Sequence, residues 1–509
     1  MKIERTKNAT RNIMVNGMSQ MMSLLIPFIM RSIILNFLGI EYLGLGGLFK
    51  SILSILNLAE LGVGSAMVFS MYKPIAEDDT ETICALMKLY RKFYRLIGLF
   101  ILTVGLLLTP FLPNLINGEV TADVNLYVIY FMNLGNTVLT YWLFAYKNNL
   151  LCAHQRVDVS GKITMLIRLA EYLLKILVLV LFRNYYAYLV VQTISQVAIN
   201  IFIALRVQKL YPAYSPRGEL PKEKVHGIAT RVRDLFTSNF SYVISNSADT
   251  LVVSSFLGLT VLAIYQNYYY ITSSLKTMIE VIVGACIAGI GNSLVTESAE
   301  KNYKDFKKMT ILFGWLMSVS SSMLLCMYQP FMHIWMGEAR MLEFGYVICF
   351  VIYFCSIGMN KLTGMFKDAA GIWKIDKWRP LTAALVNLAL NLTTVNWIGL
   401  YGVLLSTVIA TVFIEIPWGL HNLFKAVFPH EHLWKYVRMF CGIVVIEIIC
   451  CAVSWFACSF IHLGVWPTLI INAGISFVIP NIIFFAVFGR NEMFKESVAQ
   501  IKRVVLRRK

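Results

Sequence analysis

Charged and polar side chains recur at helical spacing inside long apolar stretches of this sequence, where a charge is costly and therefore informative. Asn16, Gln20, Ser23, Pro27 and Arg31 follow at steps of four, three, four and four, and Asn239, Tyr242, Asn246 and Asp249 at three, four and three. Each set therefore shares one helix face. Lys50, Ser54, Asn57 and Glu60 form a third stripe, and Tyr269, Thr272, Ser273, Lys276 and Glu280 a fourth. Arg168, Glu171 and Lys175 form a fifth, and Asn387, Asn391 and Thr394 repeat its phase. The chemistry open to such stripes is binding. Amides and hydroxyls replace the hydration of a polar solute, cations neutralise an anion, and a carboxylate could take up a coupling ion. A polar face toward lipid is too costly, so the stripes imply a shared wet cavity, with hydrogen bonding between helices as the alternative.

Each embedded charge costs about 2.5–3.5 kcal/mol at mid-helix. Glu171 with Lys175 and Lys276 with Glu280 are four apart and could neutralise each other, so function and neutralisation both stay open for them. Arg31 and Lys50 have no opposite charge within one helical turn of sequence, which points them at a translocation path. Glu447 is isolated, and bundle packing accounts for it equally well; Glu415 is expected near the cytoplasmic interface. Pro27 invites a bend in its span, and Gly44, Gly46, Gly47, Gly62 and Gly64 permit close helix contacts. There is no GxxxxGK[ST], HExxH or GxSxG, so neither ATP hydrolysis nor a catalytic residue is expected. The ten cysteines form no CxxC pair or metal-spaced cluster and read as apolar filler. His430-Glu431-His432 reads as solvated surface, and no metal site or cofactor is expected.

The elements that position these groups must be membrane helices. The 509 residues are 58% hydrophobic and 14% charged, with mean hydropathy +0.67, more apolar surface than a soluble core can bury. Apolar runs of about 20 residues fall near 14–37, 42–70, 94–113, 124–147, 163–182, 185–206, 235–257, 260–293, 309–330, 341–362, 380–397, 399–420, 437–460 and 465–488. An all-α, polytopic membrane protein with fourteen spans is the expectation. With the N-terminus inside, the outer loops hold just Arg183 and Arg340 of the 45 Lys and Arg, so both termini are expected in the cytoplasm. This asymmetry accounts for the net charge of +17 without a nucleic-acid partner. The basic N-terminus leads into an uncleaved first span.

The first half recurs about 219 positions later. Phe37-Leu38-Gly39 returns as Phe256-Leu257-Gly258, Glu60-x-x-x-Gly64 as Glu280-x-x-x-Gly284, and Pro110-Phe111 with Gly118-Glu119 as Pro330-Phe331 with Gly337-Glu338. Six spans separate the copies, so they are parallel repeats, with a site expected where they meet. The expected divisions are a six-helix lobe at 1–207, a cytoplasmic linker at 208–232, a second six-helix lobe at 233–424, and two additional helices with a basic tail at 425–509.

The run from Phe37 to Gly44, followed by Ala59-Glu60-Leu61-Gly62-Val63-Gly64-Ser65-Ala66, resembles the N-terminal signature of the polysaccharide flippases of the multidrug/oligosaccharidyl-lipid/polysaccharide (MOP) exporter superfamily. Asp249, Phe256-Leu257-Gly258 and Tyr265 resemble the matching element of their second lobe. The resemblance implies two lobes in a V around a cavity that opens alternately to either side. It implies movement of undecaprenyl-pyrophosphate-linked oligosaccharide units to the outer leaflet of a bacterial plasma membrane, alongside glycosyltransferases and a glycan polymerase. Arg31, Lys50, Arg168 and Lys276 would supply the basic lumen, with Gln20, Asn239 and Asn246 as further substrate contacts. Glu60, Glu171, Asp249 and Glu280 temper that field and are candidates for coupling to a proton or sodium gradient. A cation-coupled multidrug antiporter of the same superfamily predicts twelve spans and an acidic lumen. A membrane glycan polymerase or transferase predicts catalytic groups on a large outer loop.

Overall fold

The computed structural model describes residues 5–60, 62–118 and 123–506, with side chains except at 5–14, 16, 59, 234–235, 237–239, 242, 245–246, 430 and 500–506. Among the described residues there are eighteen α-helices and no strand. In chain order they are α1 (Arg5–Phe37), α2 (Ile40–Leu56), α3 (Val63–Ala76), α4 (Thr80–Leu108), α5 (Leu126–Trp142), α6 (Tyr146–Ala153), α7 (Val157–Phe182), α8 (Tyr185–Leu210) and α9 (Lys222–Leu257). There follow α10 (Leu259–Thr296), α11 (Ala299–Met336), α12 (Phe344–Ala370), α13 (Arg379–Ile398), α14 (Leu400–Ala410), α15 (Ile416–Ala426), α16 (Leu433–Ser459), α17 (Val465–Phe488) and α18 (Glu492–Leu506). The chain is an all-α, multi-pass membrane protein.

Ten of the described helical segments are long and apolar enough to cross a bilayer. Three expected spans meet helices that fall short, for identifiable reasons, and a fourth falls partly outside the described side chains. The 42–70 run is two helices, not one: α2 ends in a 3-10 turn at Asn57–Glu60, and Gly62, at φ +92°, precedes α3. That left-handed conformation is cheap for glycine and interrupts the ladder. The 124–147 run holds α5, with 17 residues. The 163–182 run carries Arg168, Glu171 and Lys175 in α7. The expected 235–257 span falls partly on residues of α9 whose side chains lie outside the described ones; the apolar stretch among the described residues there is Ser247–Leu257.

The expected 399–420 span is also interrupted. A π turn at Thr411–Glu415 joins α14 to α15, which carries proline in its first turn. Pro417 has no N–H for the carbonyl four residues back, which favours a widened turn. The expected 208–232 linker is shorter than its composition suggests, because α9 already begins at Lys222. The non-helical stretch is held against α4 and the end of α6: the Tyr211 ring packs at a tilt on His154 with centroids 4.3 Å apart, and Lys88 meets Glu219 at 3.2 Å.

The chain forms two compact units, Met1–Ala263 and Ile264–Lys509. In the first, α7 packs on α1 and α8, α4 on α5, and α2 on α9. Gly44 makes the approach of α2 to the start of α10 possible, since a Cβ there would lie 2.4 Å from the Leu259 carbonyl oxygen. In the second, α11 packs against α12, α16 and α17. Gly314 lets α16 in, because a Cβ there would meet Ile443 at 2.3 Å. Ser321 donates to Glu447 at 2.9 Å, Asn472 to the Cys326 carbonyl at 3.1 Å, and Trp315 to Asn481 at 3.0 Å. Glu447 is thus a packing group between helices. His432 is not simply solvated: its ring stacks on Tyr303 at 4.8 Å and Nε2 lies 3.0 Å from Glu300.

The repeat has a local counterpart in the backbone. Gly39 and Gly258 both follow a helix and begin the next at φ +123°, ψ 172° and φ +90°, ψ 172°. Gly118 and Gly337 are likewise both left-handed, at φ +97° and +81°.

Candidate functional site

Three polar clusters inside the units hold most of the residues singled out by spacing. The first joins α1, α2, α7 and α8. On α7, Glu171 is 2% exposed and is gripped from both sides, by Arg168 at 2.6 Å and Lys175 at 2.7 Å. Gln196 and Gln192 of α8 accept from the same two cations at 2.7 and 3.0 Å, and Lys175 also lies 4.3 Å from the centroid of the Tyr188 ring. Each carboxylate oxygen of Glu171 therefore has a cationic partner. Sequence reasoning missed α8's share. Its signal was the step of four from Tyr188 to Gln192 to Gln196.

Arg31 interacts electrostatically with both Lys50 and Tyr188, which brings α1 and α2 cations together. Lys50 is exposed and has no hydrogen bond or ion pair with a described residue. Two cations on neighbouring helices repel unless an anion lies between them. Gln20 and Ser23 are exposed on the same helix as Arg31. The side chains of Asn239 and Asn246 lie outside the described residues. Asp249, on α9, is 7% exposed.

The second cluster surrounds Glu60 at the break between α2 and α3. Tyr94 donates to one carboxylate oxygen at 2.5 Å and Tyr141 to the other at 2.8 Å. Tyr90 donates to Tyr94 at 2.6 Å and receives a bond from Asn149. Gly64 makes room, as a Cβ there would sit 3.3 Å from both Asn149 and the Tyr90 hydroxyl. Among the described residues no cation pairs with Glu60, unlike Glu171 and Glu280. Sequence reasoning found Glu60 but not its three tyrosines, though Tyr90 and Tyr94 are four apart on α4.

The third cluster lies in the second unit. The expected pairing of Lys276 with Glu280 is not made: Glu280 instead binds Lys361 of α12 at 2.6 Å. An ion pair across helices fixes α10 against α12, and the two side chains four apart on α10 diverge. Lys276 has no hydrogen bond or ion pair with a described residue. Glu415 is not an uninformative interfacial group. Its carboxylate accepts from Asn360 and interacts with Arg379, Lys361 and Lys276. Arg379 makes a two-pronged bond to Asp376 at 2.7 and 2.8 Å. Asp376 lies in the α12–α13 turn. Burial alone would raise its carboxyl, but Arg379, Lys367 and Asn422 together hold it below the usual carboxylate range. The Asn387–Asn391–Thr394 stripe bonds helix to helix, with Asn387 donating to Thr407 of α14 at 2.7 Å and Asn391 donating to Asn387 at 3.1 Å.

Among the described residues no group of three or more His, Cys, Asp or Glu could hold a metal ion, and all ten cysteines are free. The clusters offer cations, hydroxyls and amides on helix faces, groups able to bind a polar anion.

Residues 9–288 match the family described as Polysaccharide biosynthesis protein. Solved structures share the fold at low identity. The lipid II flippase MurJ in an inward closed conformation is 15% identical, with TM-score 0.66, over 93% of this chain and 98% of that one. An inward-facing multidrug resistance MATE family transporter of the MOP superfamily is 15% identical, with TM-score 0.63, over 83% and 99%. A MOP superfamily transporter from Pyrococcus furiosus is 14% identical, with TM-score 0.53, over 84% and 96%. No curated protein matches the chain.

Proposed function

The chain belongs to the polysaccharide biosynthesis protein family, and from that membership we propose that it is a flippase for undecaprenyl-pyrophosphate-linked oligosaccharide units, working by alternating access in a bacterial plasma membrane. The observation that carries the reading is the Arg31–Lys50 neighbourhood. Two cations share one region of the first unit, and Lys50 has no hydrogen bond or ion pair with a described residue. Such a pair matches the charge of a pyrophosphate, and an Arg fork suits phosphate oxygens. The physical problem is hydration. Sugar hydroxyls cannot enter hydrocarbon without replacement hydrogen bonds, so a polar path must carry the glycan while the polyprenyl chain stays in lipid.

Glu60 is the coupling group favoured by this reading. It sits at a broken helix, where irregular backbone near ion sites is a recurring transporter device, and its donors are tyrosine hydroxyls. A proton on Glu60 would remove one charge-assisted acceptor and loosen the α2–α3 break from α4 and α5. Glu171, held by two cations, is better suited to fixing α7 against α8.

The test is export in cells. Replacing Arg31 and Lys50 together by Ala should leave the protein inserted, abolish surface glycan, and build up lipid-linked units on the cytoplasmic side. Arg31→Lys should restore export partly, because charge returns without the fork. Normal surface glycan in the double variant would overturn the proposal.

A further inference from the structure

The turn between α12 and α13 turns two tryptophans, an isoleucine and two lysines outward. Trp373 and Trp378 are 62% and 58% exposed, and Ile375 stands exposed between them. Lys374 and Lys377 are exposed as well, and neither has a hydrogen bond or ion pair with a described residue. The backbone is anchored from beneath. Gly371, at φ +67°, ends α12, and the buried Asp376 ties the turn inward to Arg379, Lys367 and Asn422 at 2.7, 3.3 and 3.0 Å. Trp373 donates its indole N–H to Asp368 at 3.2 Å, and Lys377 lies 5.3 Å from the centroid of the Trp378 ring. The nearby acids, Asp368 and Asp376, are thus engaged by other groups.

The same place in the first unit is built differently. Arg156-Val157-Asp158 stands there where Lys374-Ile375-Asp376 stands one repeat later. Arg156 is paired with Asp158 at 2.9 Å, and the Tyr211 and Tyr214 rings pack on His154 with centroids 4.3 and 5.7 Å away. That turn is charge-paired and covered by its own chain, whereas the α12–α13 turn leaves its rings and lysines bare. Its level relative to a bilayer is also fixed. Both α12 and α13 are long and apolar enough to cross a membrane, so the turn joining them lies at a bilayer surface. Trp378 immediately precedes α13, and Trp397, 86% exposed, stands near the other end. At about 1.5 Å per residue the two are about 28 Å apart, close to the ~30 Å of a hydrocarbon core. Tryptophans at the two ends of such a span sit at headgroup level.

We propose that the α12–α13 turn is a membrane-interface anchor, seating Trp373, Ile375 and Trp378 among the lipid headgroups and binding anionic phospholipid through Lys374 and Lys377. The anchor is independent of what the protein transports. An indole has a large apolar body and one N–H, which suits the boundary between acyl chains and water. A lysine ammonium is a mobile point charge able to follow a headgroup phosphate. Each basic group near an anionic surface raises affinity about fivefold. With the turn pinned by Asp376, the second unit would be held at a set depth in the leaflet where α12 ends.

The experiment uses the purified full-length protein, one copy per nanodisc, in mixed phosphatidylcholine and phosphatidylglycerol. Bromine on the acyl chains of one lipid or the other quenches the fluorescence of tryptophans in contact with it. The emission of Trp373 and Trp378 is the difference between the unaltered protein and the Trp373→Phe, Trp378→Phe variant. That component should be quenched by both lipids, with brominated phosphatidylglycerol favoured at least about fivefold at equal mole fraction, the contribution of a single lysine. In a Lys374→Gln, Lys377→Gln variant the preference should fall to about one. This variant keeps all ten tryptophans, so its total emission against that of the unaltered protein reads the loss even where the tryptophan variant does not fold. No quenching by either lipid would place the two rings in water or against a protein partner and overturn the anchor. Equal quenching by the two lipids overturns the anionic selectivity. A preference that survives in the Lys374→Gln, Lys377→Gln variant overturns the role of the lysines.

Discussion

At the residue scale, three carboxylates with similar sequence surroundings have different fates. Glu171 has a cation on each oxygen, Glu280 has one from another helix, and Glu60, among the described residues, has two tyrosine hydroxyls. Glu171→Ala strands Lys175, which is 4% exposed. Removing one member of a buried pair costs about 3–5 kcal/mol, so this variant should unfold at markedly lower temperature in detergent. Glu60→Gln keeps the shape and an acceptor for one tyrosine, so it should hold its melting temperature within a few degrees. It should nonetheless lose proton uptake coupled to glycan movement in proteoliposomes. Equal thermal stability of the two variants, or coupled uptake in Glu60→Gln, would contradict these assignments. Spacing located both acids and offered Glu171 its cations on α7, but it could not show the hydroxyl partners that Glu60 draws from α4 and α5.

At the scale of elements, the interruptions are where the sequence reading departed furthest from the structure. A continuous apolar run at 42–70 hides a break, because hydropathy averages over Gly62 and the short turn before it. The π turn ending at Glu415 was hidden for the same reason, although Pro417 marks it. Helix contacts depend equally on single glycines. Gly44→Ala would drive a methyl into the Leu259 backbone oxygen, whereas a Cβ at Gly135 meets nothing within 4 Å. Overpacking of this kind costs about 1–3 kcal/mol. Thermal unfolding should therefore fall for Gly44→Ala and hold or rise for Gly135→Ala, since Ala is the better helix former. The reverse order would show that α2 can move away from the start of α10 at no cost.

At the scale of the whole molecule, charge asymmetry governs orientation. Arg183 and Arg340 are alone among Lys and Arg in the expected outer loops, whereas Lys209, Arg217, Lys222, Lys224, Arg231 and Arg233 gather around the α8–α9 connection. Positive loops resist translocation. Reporter fusions after residues 118, 220 and 509 should accordingly read outside, inside and inside. An outside signal at 220 would require an odd number of crossings before α9 and would dismantle the parallel repeat. The paired glycines at 39/258 and 118/337 favour that repeat at the level of backbone conformation.

The class of this protein was decided by its sequence alone. An all-α membrane fold follows from length and apolar content, and the polar stripes follow from the helical period, both of which are local properties of a chain. The family resemblance likewise rested on contiguous residues around Gly39 and Glu60. Tertiary structure alone decided who partners whom. Glu280 chose Lys361, 81 positions away, over Lys276 at four. Asn387 found Thr407, and Glu60 found Tyr94 and Tyr141. The reason is geometric. Spacing says which side chains share a face, but the free energy of a buried charge depends on what the facing helix presents, and that is set only when the helices pack.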